Sequence, residues 1–397
     1  MTLWRIRPDG GRVRDSAVDD RRPGTPYRAV TSNNGGPPGV DERNPARSRE
    51  EAGVSEPYDG GPVAALRRIA FLLERGREDT FKVKAFRKAA AAILPLPPEQ
   101  VAAAVADGTL TDIPGVGAST AKVISAAARG ELPDRLAELE REHGGPLTGA
   151  GADLRAALRG DLHSHSDWSD GGSPIEEMAF TAIELGHDYL VLTDHSPRLT
   201  VARGLSPERL ARQLDVVEAV NAHLGGEFTL LKGIEVDILD DGALDQEDAL
   251  LARLDLRVAS VHSKLKMDAA DMTTRMVAAV RNPFTNVLGH CTGRMVTGNR
   301  GTRPESRFDA RAVFEACVES NTAVEINSRP ERRDPPTRLL ELARDIGCLF
   351  SIDSDAHAPG QLDFQVYGCE RAEEAGIDAE RIVNTWPQER LLAWANG

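Results

Sequence analysis

Seven short apolar runs between Gly160 and Ile352 each lead directly to a residue that can bind a metal ion or a proton. The runs read as strands at 160–162, 189–193, 229–234, 257–261, 286–288, 323–326 and 349–352, with helical stretches between them. Behind them stand, in order, His163 and His165, Asp194 and His195, Glu235, His262, His290, Asn327, and Asp355 with His357. Six of the nine histidines fall at these ends, and only His143, His187 and His223 lie elsewhere. Alternating strands and helices predict a parallel α/β barrel. In such a barrel the C-terminal strand ends share one mouth, where residues distant in sequence meet.

The first of these ends, Gly160-Asp161-Leu162-His163-Ser164-His165-Ser166-Asp167-Trp168-Ser169-Asp170-Gly171, is the densest. Side chains alternate along a strand, so His163 and His165 share a face and can hold one ion. Asp170, on a loop kept pliable by Gly171 and Gly172, offers a hard oxygen to the same neighbourhood. Imidazole and carboxylate ligands suit zinc, manganese or iron, and a carboxylate such as Glu235 can bridge two ions. Ions so placed acidify a shared water and clamp phosphate oxygens, so the expected reaction is in-line phosphoester hydrolysis without a protein nucleophile. Lys264 and Arg294 are the first choices for cations at the phosphate, followed by Arg203 and Arg329. Asp161 and Asp194 are expected to orient ligand histidines, and Asp194 is counted with the catalytic set for that reason.

Composition limits the partners. A formal net charge of -14 argues against a generic polyanion binder, so any nucleic-acid contact must be local. The cysteines, Cys291, Cys317, Cys348 and Cys369, show no CxxC spacing and are expected to be reduced packing thiols. No apolar run reaches the roughly 18 residues of a membrane span, and the N-terminus lacks a secretory pattern. The expected location is the cytoplasm, with no membrane contact. Residues 1–60, rich in Arg, Asp, Pro, Gly and Asn, are predicted to be a disordered tail.

Residues 61–143 read as a small all-helical domain. Leu66, Ile69, Ala70 and Leu73 recur at helical spacing. In the next helix Lys82, Lys84, Arg87 and Lys88 cluster around Phe86, above a face of Val83, Phe86, Ala90 and Ile93. A third helix runs from about Glu99 to Asp107. Ile113-Pro114-Gly115-Val116-Gly117 then turns into a fourth that begins near Ala118 and contains Lys122. Two glycines at a helix N-terminus let backbone N–H groups face an anion. This stretch resembles the helix-hairpin-helix motif that grips DNA backbones without reading sequence. Gly115, Val116, Gly117, Lys82, Lys84, Arg87, Lys88 and Lys122 are the expected DNA contacts. The whole domain is similar to the small N-terminal domain of family X DNA polymerases. In that family some members carry a lyase lysine, but Val123 holds its position here with Lys122 beside it, so lyase activity is not expected.

Residues 144–158 read as a linker and 159–397 as the barrel. No nucleotidyl-transfer palm fits between the helical domain and Gly160, so polymerisation is not expected and a separate DNA polymerase becomes a candidate partner. The segments HSHSDWSDG, LTDHS, GIEVDI, VHS, GH and SDAH occur in the order of the motifs of the PHP (polymerase and histidinol phosphatase) superfamily. The details most resemble the C-terminal domain of bacterial family X polymerases. The resemblance implies a distorted seven-stranded (β/α)7 PHP barrel and three divalent metal ions, drawn from manganese, zinc and iron. One ion is expected on His163, His165, Glu235 and Asp355, a second on Glu235, His262 and His290, and a third on Asp170, His195 and His357. It also implies a DNA 3′–5′ exonuclease or 3′-end-processing phosphoesterase in repair. The alternatives are a phosphomonoesterase on a small metabolite such as histidinol phosphate, and a non-catalytic DNA-binding scaffold. Subunit number is not legible in the sequence.

Overall fold

The computed structural model describes residues 56–298 and 301–397. The expected disordered tail lies outside the described residues as far as position 55. Its boundary at 60 is too late, because Pro57 bridges Glu131 and the Tyr58 N–H donates to the Gly130 carbonyl at 2.8 Å.

Five helices follow: α1 (Gly61–Arg75), α2 (Thr80–Ile93), α3 (Pro98–Asp107), α4 (Ala118–Ala128) and α5 (Asp134–His143). The apolar spacing read from the sequence is what packs them. Leu66, Ile69, Ala70 and Leu73 of α1 meet Val83, Phe86, Ala90 and Ile93 of α2 and Val123, Ile124 and Ala127 of α4 in one core. Asp79 starts α2 by accepting the Phe81 N–H at 2.7 Å, and Gly108, at φ 71°, stops α3. The stretch expected as a linker contains α6 (Ala152–Ala157), whose Leu154 joins the barrel core with Leu158. A turn of helix with a buried leucine is part of the barrel's wall, so the barrel unit begins before 159.

The remaining chain alternates as expected: β1 (Gly160–Ser164), α7 (Ile175–Glu184), β2 (Tyr189–Leu192), α8 (Pro207–Leu224), β3 (Thr229–Asp237), α9 (Asp248–Leu251), β4 (Leu256–Ser260) and α10 (Ala269–Val280). Then come β5 (Val287–Leu288), α11 (Ala310–Glu319), β6 (Ala323–Asn327), α12 (Thr337–Ile346), β7 (Phe350–Asp353), α13 (Gln365–Glu374) and α14 (Gln388–Ala395). All neighbouring strands are parallel, in the order β1 to β7. The sheet curls until its edges meet. Ser164 bridges Ala356, and the His165 N–H donates to the Ala356 carbonyl at 2.8 Å. That seam places the end of β1 beside the segment after β7.

Period two divides the strands between two cores. Leu162, Tyr189, Val191, Leu231, Leu256, Val258, Val287 and Ala323 point inward and form a floor, sealed from below by Val383, Trp386 and Leu391. Their strand neighbours Ile234, Val236, Ala259, Leu288, Val324 and Ile326 face outward against the helices. Continuing the inward register above the floor brings Glu235 and Glu325 into the mouth. A register shift between Asp161 and Ser164 lets Leu162 and His163, adjacent in sequence, both pack toward the interior. No single helix among the described residues is long and apolar enough to cross a membrane.

Candidate metal centre

Glu235, on β3 and almost fully buried, is the hub of the mouth. Its Oε2 lies 2.7 Å from His195 Nδ1, 3.4 Å from His163 Nε2 and 3.6 Å from His165 Nε2. Its Oε1 lies 2.9 Å from His290 Nε2 and 3.2 Å from His262 Nε2. Asp355 Oδ1 stands 3.5 Å from His165 Nε2 and 3.5 Å from His357 Nδ1. Asp170 Oδ1 is 3.4 Å from His195 Nε2 and 3.3 Å from His357 Nε2. All nine residues expected as ligands therefore meet.

Their donor atoms form three compact groups: His163, His165 and Asp355; His195, Glu235 and His262; and His165, Asp170, His195 and His357. The partition differs in detail from the one expected. The first group lacks Glu235, in the second His195 replaces His290, which still touches Glu235, and His165 also joins the third.

The donor set fits divalent cations. His163 Nε2, both nitrogens of His165 and of His262, His195 Nδ1, His290 Nδ1 and Glu235 Oε2 are buried without a hydrogen-bond partner. Leaving each such atom unsatisfied costs about 1–3 kcal/mol, far too much for a cluster with no further role. Charge balance points the same way. Burial alone would raise the Glu235 carboxyl, but His262, His163 and His195 hold it well below its usual range. Burial also lowers His163, yet Glu235, Glu325 and Asp355 together push it well above an ordinary imidazole. His165 goes the other way, driven down by burial and by His357 and His195. The depressed Glu235 and the raised His163 both mark a site that favours positive charge, which a divalent cation supplies.

Three residues that support the cluster were not read from the sequence. Glu325 on β6 accepts from His163 Nδ1 at 2.6 Å, which turns Nε2 toward Glu235, and its other oxygen accepts the His290 N–H. Asp237, at the end of β3, accepts the His262 N–H at 3.1 Å and lies 3.3 Å from His262 Nδ1. Arg332 Nε meets Asp355 Oδ2 at 3.1 Å. For Glu325 a signal existed, a carboxylate in the apolar run Ala323–Ile326; for Arg332 there was none, because it sits in a loop of several arginines.

Other expected roles are corrected. Asp194 contacts no histidine: it accepts from Ser166 N–H at 2.9 Å, Ser166 Oγ at 2.6 Å, Gln213 Nε2 at 2.6 Å and Ser169 Oγ, fixing the loop that carries Asp170. Asp161 accepts backbone N–H groups of His163 and Ser354 rather than an imidazole. Lys264 is an exposed partner of Asp240 at 2.6 Å. Arg294 is spent on the carbonyls of Arg332 and Arg333 and on Glu305, so it shapes the 329–333 loop instead of facing the mouth. Arg203 is exposed on a turn at φ 58°. Arg329 alone of the four reaches the cluster, with Nη1 2.9 Å from His357 Nδ1.

In the helical domain, Lys82, Lys84, Lys88 and Lys122 are exposed, as a DNA contact requires. Arg87 is not: it binds Glu74 at 2.7 Å and Glu177 of α7 at 3.2 Å, tying the domain to the barrel. Val116 is buried in the helical core and anchors the hairpin from within. The Gly117 N–H is already satisfied by Thr120 Oγ1 at 2.9 Å, which leaves the first turn of α4 as the open anion-facing element.

Comparison with known proteins agrees with this architecture. The PHP domain family matches residues 161–329, and the helix-hairpin-helix domain family matches 62–130. Over 227 residues the chain is 37% identical to the DNA polymerase/3′-5′ exonuclease PolX of Bacillus subtilis, a match covering 57% of this chain and 39% of that protein. A probable phosphatase of Thermoanaerobacter sp. is 28% identical over 244 residues, covering 57% of this chain and 89% of the relative. The solved histidinol phosphate phosphatase of Lactococcus lactis, complexed with zinc, histidinol and phosphate, aligns at 16% identity and a TM-score of 0.43, covering 56% of this chain and 95% of that one. Within the PHP barrel, the matched segment takes in seven of the nine clustered residues; Asp355 and His357 follow it.

Proposed function

We propose that the chain is a metal-dependent phosphoester hydrolase that trims or cleans DNA 3′ ends, with three divalent ions, manganese or zinc, held by the nine clustered residues. The observation that carries this reading is the convergence on Glu235 of four buried imidazole nitrogens with no hydrogen-bond partner, His163 Nε2, His165 Nε2, His195 Nδ1 and His262 Nε2. Divalent ions there would acidify a water and neutralise phosphate charge. The chain's own residues do the rest. Glu325 and Asp237 fix the orientation of His163 and His262, while Arg329 and Arg332 set guanidinium groups at the Asp355 and His357 side, where a phosphate oxygen can be met. The linked helical domain supplies the polymer specificity: exposed lysines and the first turn of α4 suit a phosphate backbone, and Phe81, 82% exposed beside Lys82 and Lys84, suits base stacking.

The likeness to probable phosphatases keeps a second reading, hydrolysis of a small phosphomonoester, in which the helical domain has no evident purpose. One experiment separates them. With manganese added, 3′-labelled and 5′-labelled DNA strands and histidinol phosphate are offered to the wild type and to His163→Ala/His165→Ala. Stepwise loss from the 3′ end by the wild type alone, with the double variant reduced at least a hundredfold, is expected. Phosphate release from the small substrate with DNA left intact would move the protein to metabolite chemistry. Loss of stability without any turnover to lose would make it a scaffold.

A further inference from the structure

The helical domain docks on the barrel through α1, and that contact lies directly behind one of the clustered histidines. Glu74 of α1, only 5% exposed, accepts the Gly360 N–H at 2.7 Å with the same oxygen that meets Arg87. The approach is so close that a Cβ on Gly360 would overlap the Phe71 carbonyl and come within 2.7 Å of Glu74 Cβ. Arg75 adds an ion pair to Asp363 at 2.6 Å, and Arg77 one to Glu331 at 2.8 Å.

Both barrel segments seized in this way flank His357. The 3-10 segment Pro359–Phe364 starts two residues after it, and Gln361 Oε1 accepts the His357 N–H at 2.8 Å. Glu331 belongs to the loop from which Arg329 reaches the His357 ring. His357 and Asp170 are the two most exposed of the nine side chains, at 20% and 37%. They also stand farthest beyond their strands, Asp170 six residues past the end of β1 and His357 four past the end of β7. Members on a strand or within three residues of its end take their position from the barrel; these two depend on what braces their loops. They also brace each other, since the Gly172 N–H donates to the His357 carbonyl at 2.7 Å.

We propose that α1, through Glu74 and its close contact with Gly360, positions His357 and with it the group His165, Asp170, His195 and His357. The helical domain thereby completes the metal centre, besides any part it has in gripping DNA. The proposal rests on reading that group as a metal site. Glu74 is a positioning residue: it touches neither ion nor substrate.

The test uses the full chain with Glu74→Ala and Gly360→Ala, and Arg129→Ala as control. Arg129 forms an exposed pair with Glu131 at the end of α4, within the helical domain. Bound manganese is counted by mass spectrometry after gel filtration, and turnover is followed on bis-p-nitrophenyl phosphate, too small to span to the hairpin. Both interface variants are expected to lose one equivalent of metal and at least tenfold in kcat, with KM for the small ester and DNA affinity unchanged; the control loses neither. Should Glu74→Ala fail to fold, Gly360→Ala decides alone, because it deletes no side-chain interaction. Wild-type metal content and turnover in the folded interface variants overturn the proposal while leaving the phosphoesterase reading intact. A wild type that binds neither manganese nor zinc overturns both.

Discussion

His187 shows how one buried side chain ties this fold to pH without belonging to its chemistry. Burial, with Arg155 close by, pushes its imidazole down to about 3, against roughly 6.5 in an unfolded chain. A folded-state value below the unfolded one favours the neutral ring. Its contribution is therefore complete above pH 6.5 and is lost as pH falls from there toward 3. The unfolding free energy of the wild type, from urea titrations, is expected to drop faster between pH 7 and 4 than that of His187→Gln, by up to about 1.4 kcal/mol per pH unit. Parallel slopes would remove His187 as a source of acid sensitivity. Glu325 is a different case at the same scale. By accepting the His163 Nδ1–H hydrogen bond at 2.6 Å it settles which nitrogen faces Glu235. Both roles come from neighbours far away in the chain, which is why neither was legible beforehand.

At the level of elements, the hairpin between α3 and α4 separates two uses of glycine. Gly115 sits at φ 105°, where any Cβ is strained, and Lys88 and Ala92 crowd the spot where one would stand. Gly117 has φ -102° and open space around it. Gly115→Ala is expected to destabilise the helical domain by about 1–2 kcal/mol and to weaken DNA binding along with it. Gly117→Ala should leave the thermal midpoint within a degree or two, and any loss of DNA affinity then reports a close approach of backbone to phosphate. Calorimetry and a fluorescence-anisotropy titration of the two variants check this, and a Gly117→Ala that melts like Gly115→Ala would contradict it. The hairpin was readable because φ > 0 and helix starts leave residue-level marks. The docking of α1 was not, since Glu74 and Gly360 are 286 positions apart.

For the molecule as a whole, the mouth concentrates six histidines and three carboxylates in a volume sealed below by an apolar floor. A folded state that binds ions its unfolded chain cannot hold is stabilised by mass action, by about 2.7 kcal/mol per site at a hundred times Kd. Adding a chelator is expected to lower the unfolding midpoint by several degrees, and manganese or zinc to restore it. His163→Ala/His165→Ala should respond much less to the chelator. Identical melting of the wild type with and without chelator would mean that the cluster holds no ions. The helical domain and barrel should melt in one transition, because Glu74, Arg75, Arg77 and Arg87 bind them together.

The sequence alone determined the alternation of strand and helix, the seven strands within a few residues and the helical domain with its hairpin, all written in local periodicity, so a short window suffices to see them. The nine residues that meet in the mouth were legible through the resemblance of their motifs to the PHP superfamily, since strand ends alone also offered Asp194 and Asn327. Tertiary structure alone decided how the donors partition among three groups, which arginine stands at Asp355, and that Arg87 and Glu74 join two domains. Lys264 and Arg294 went the other way, taken up by Asp240 and by loop carbonyls. A long cationic side chain pairs with whichever oxygens the fold brings within reach, and no property of its own position in the chain records which those are.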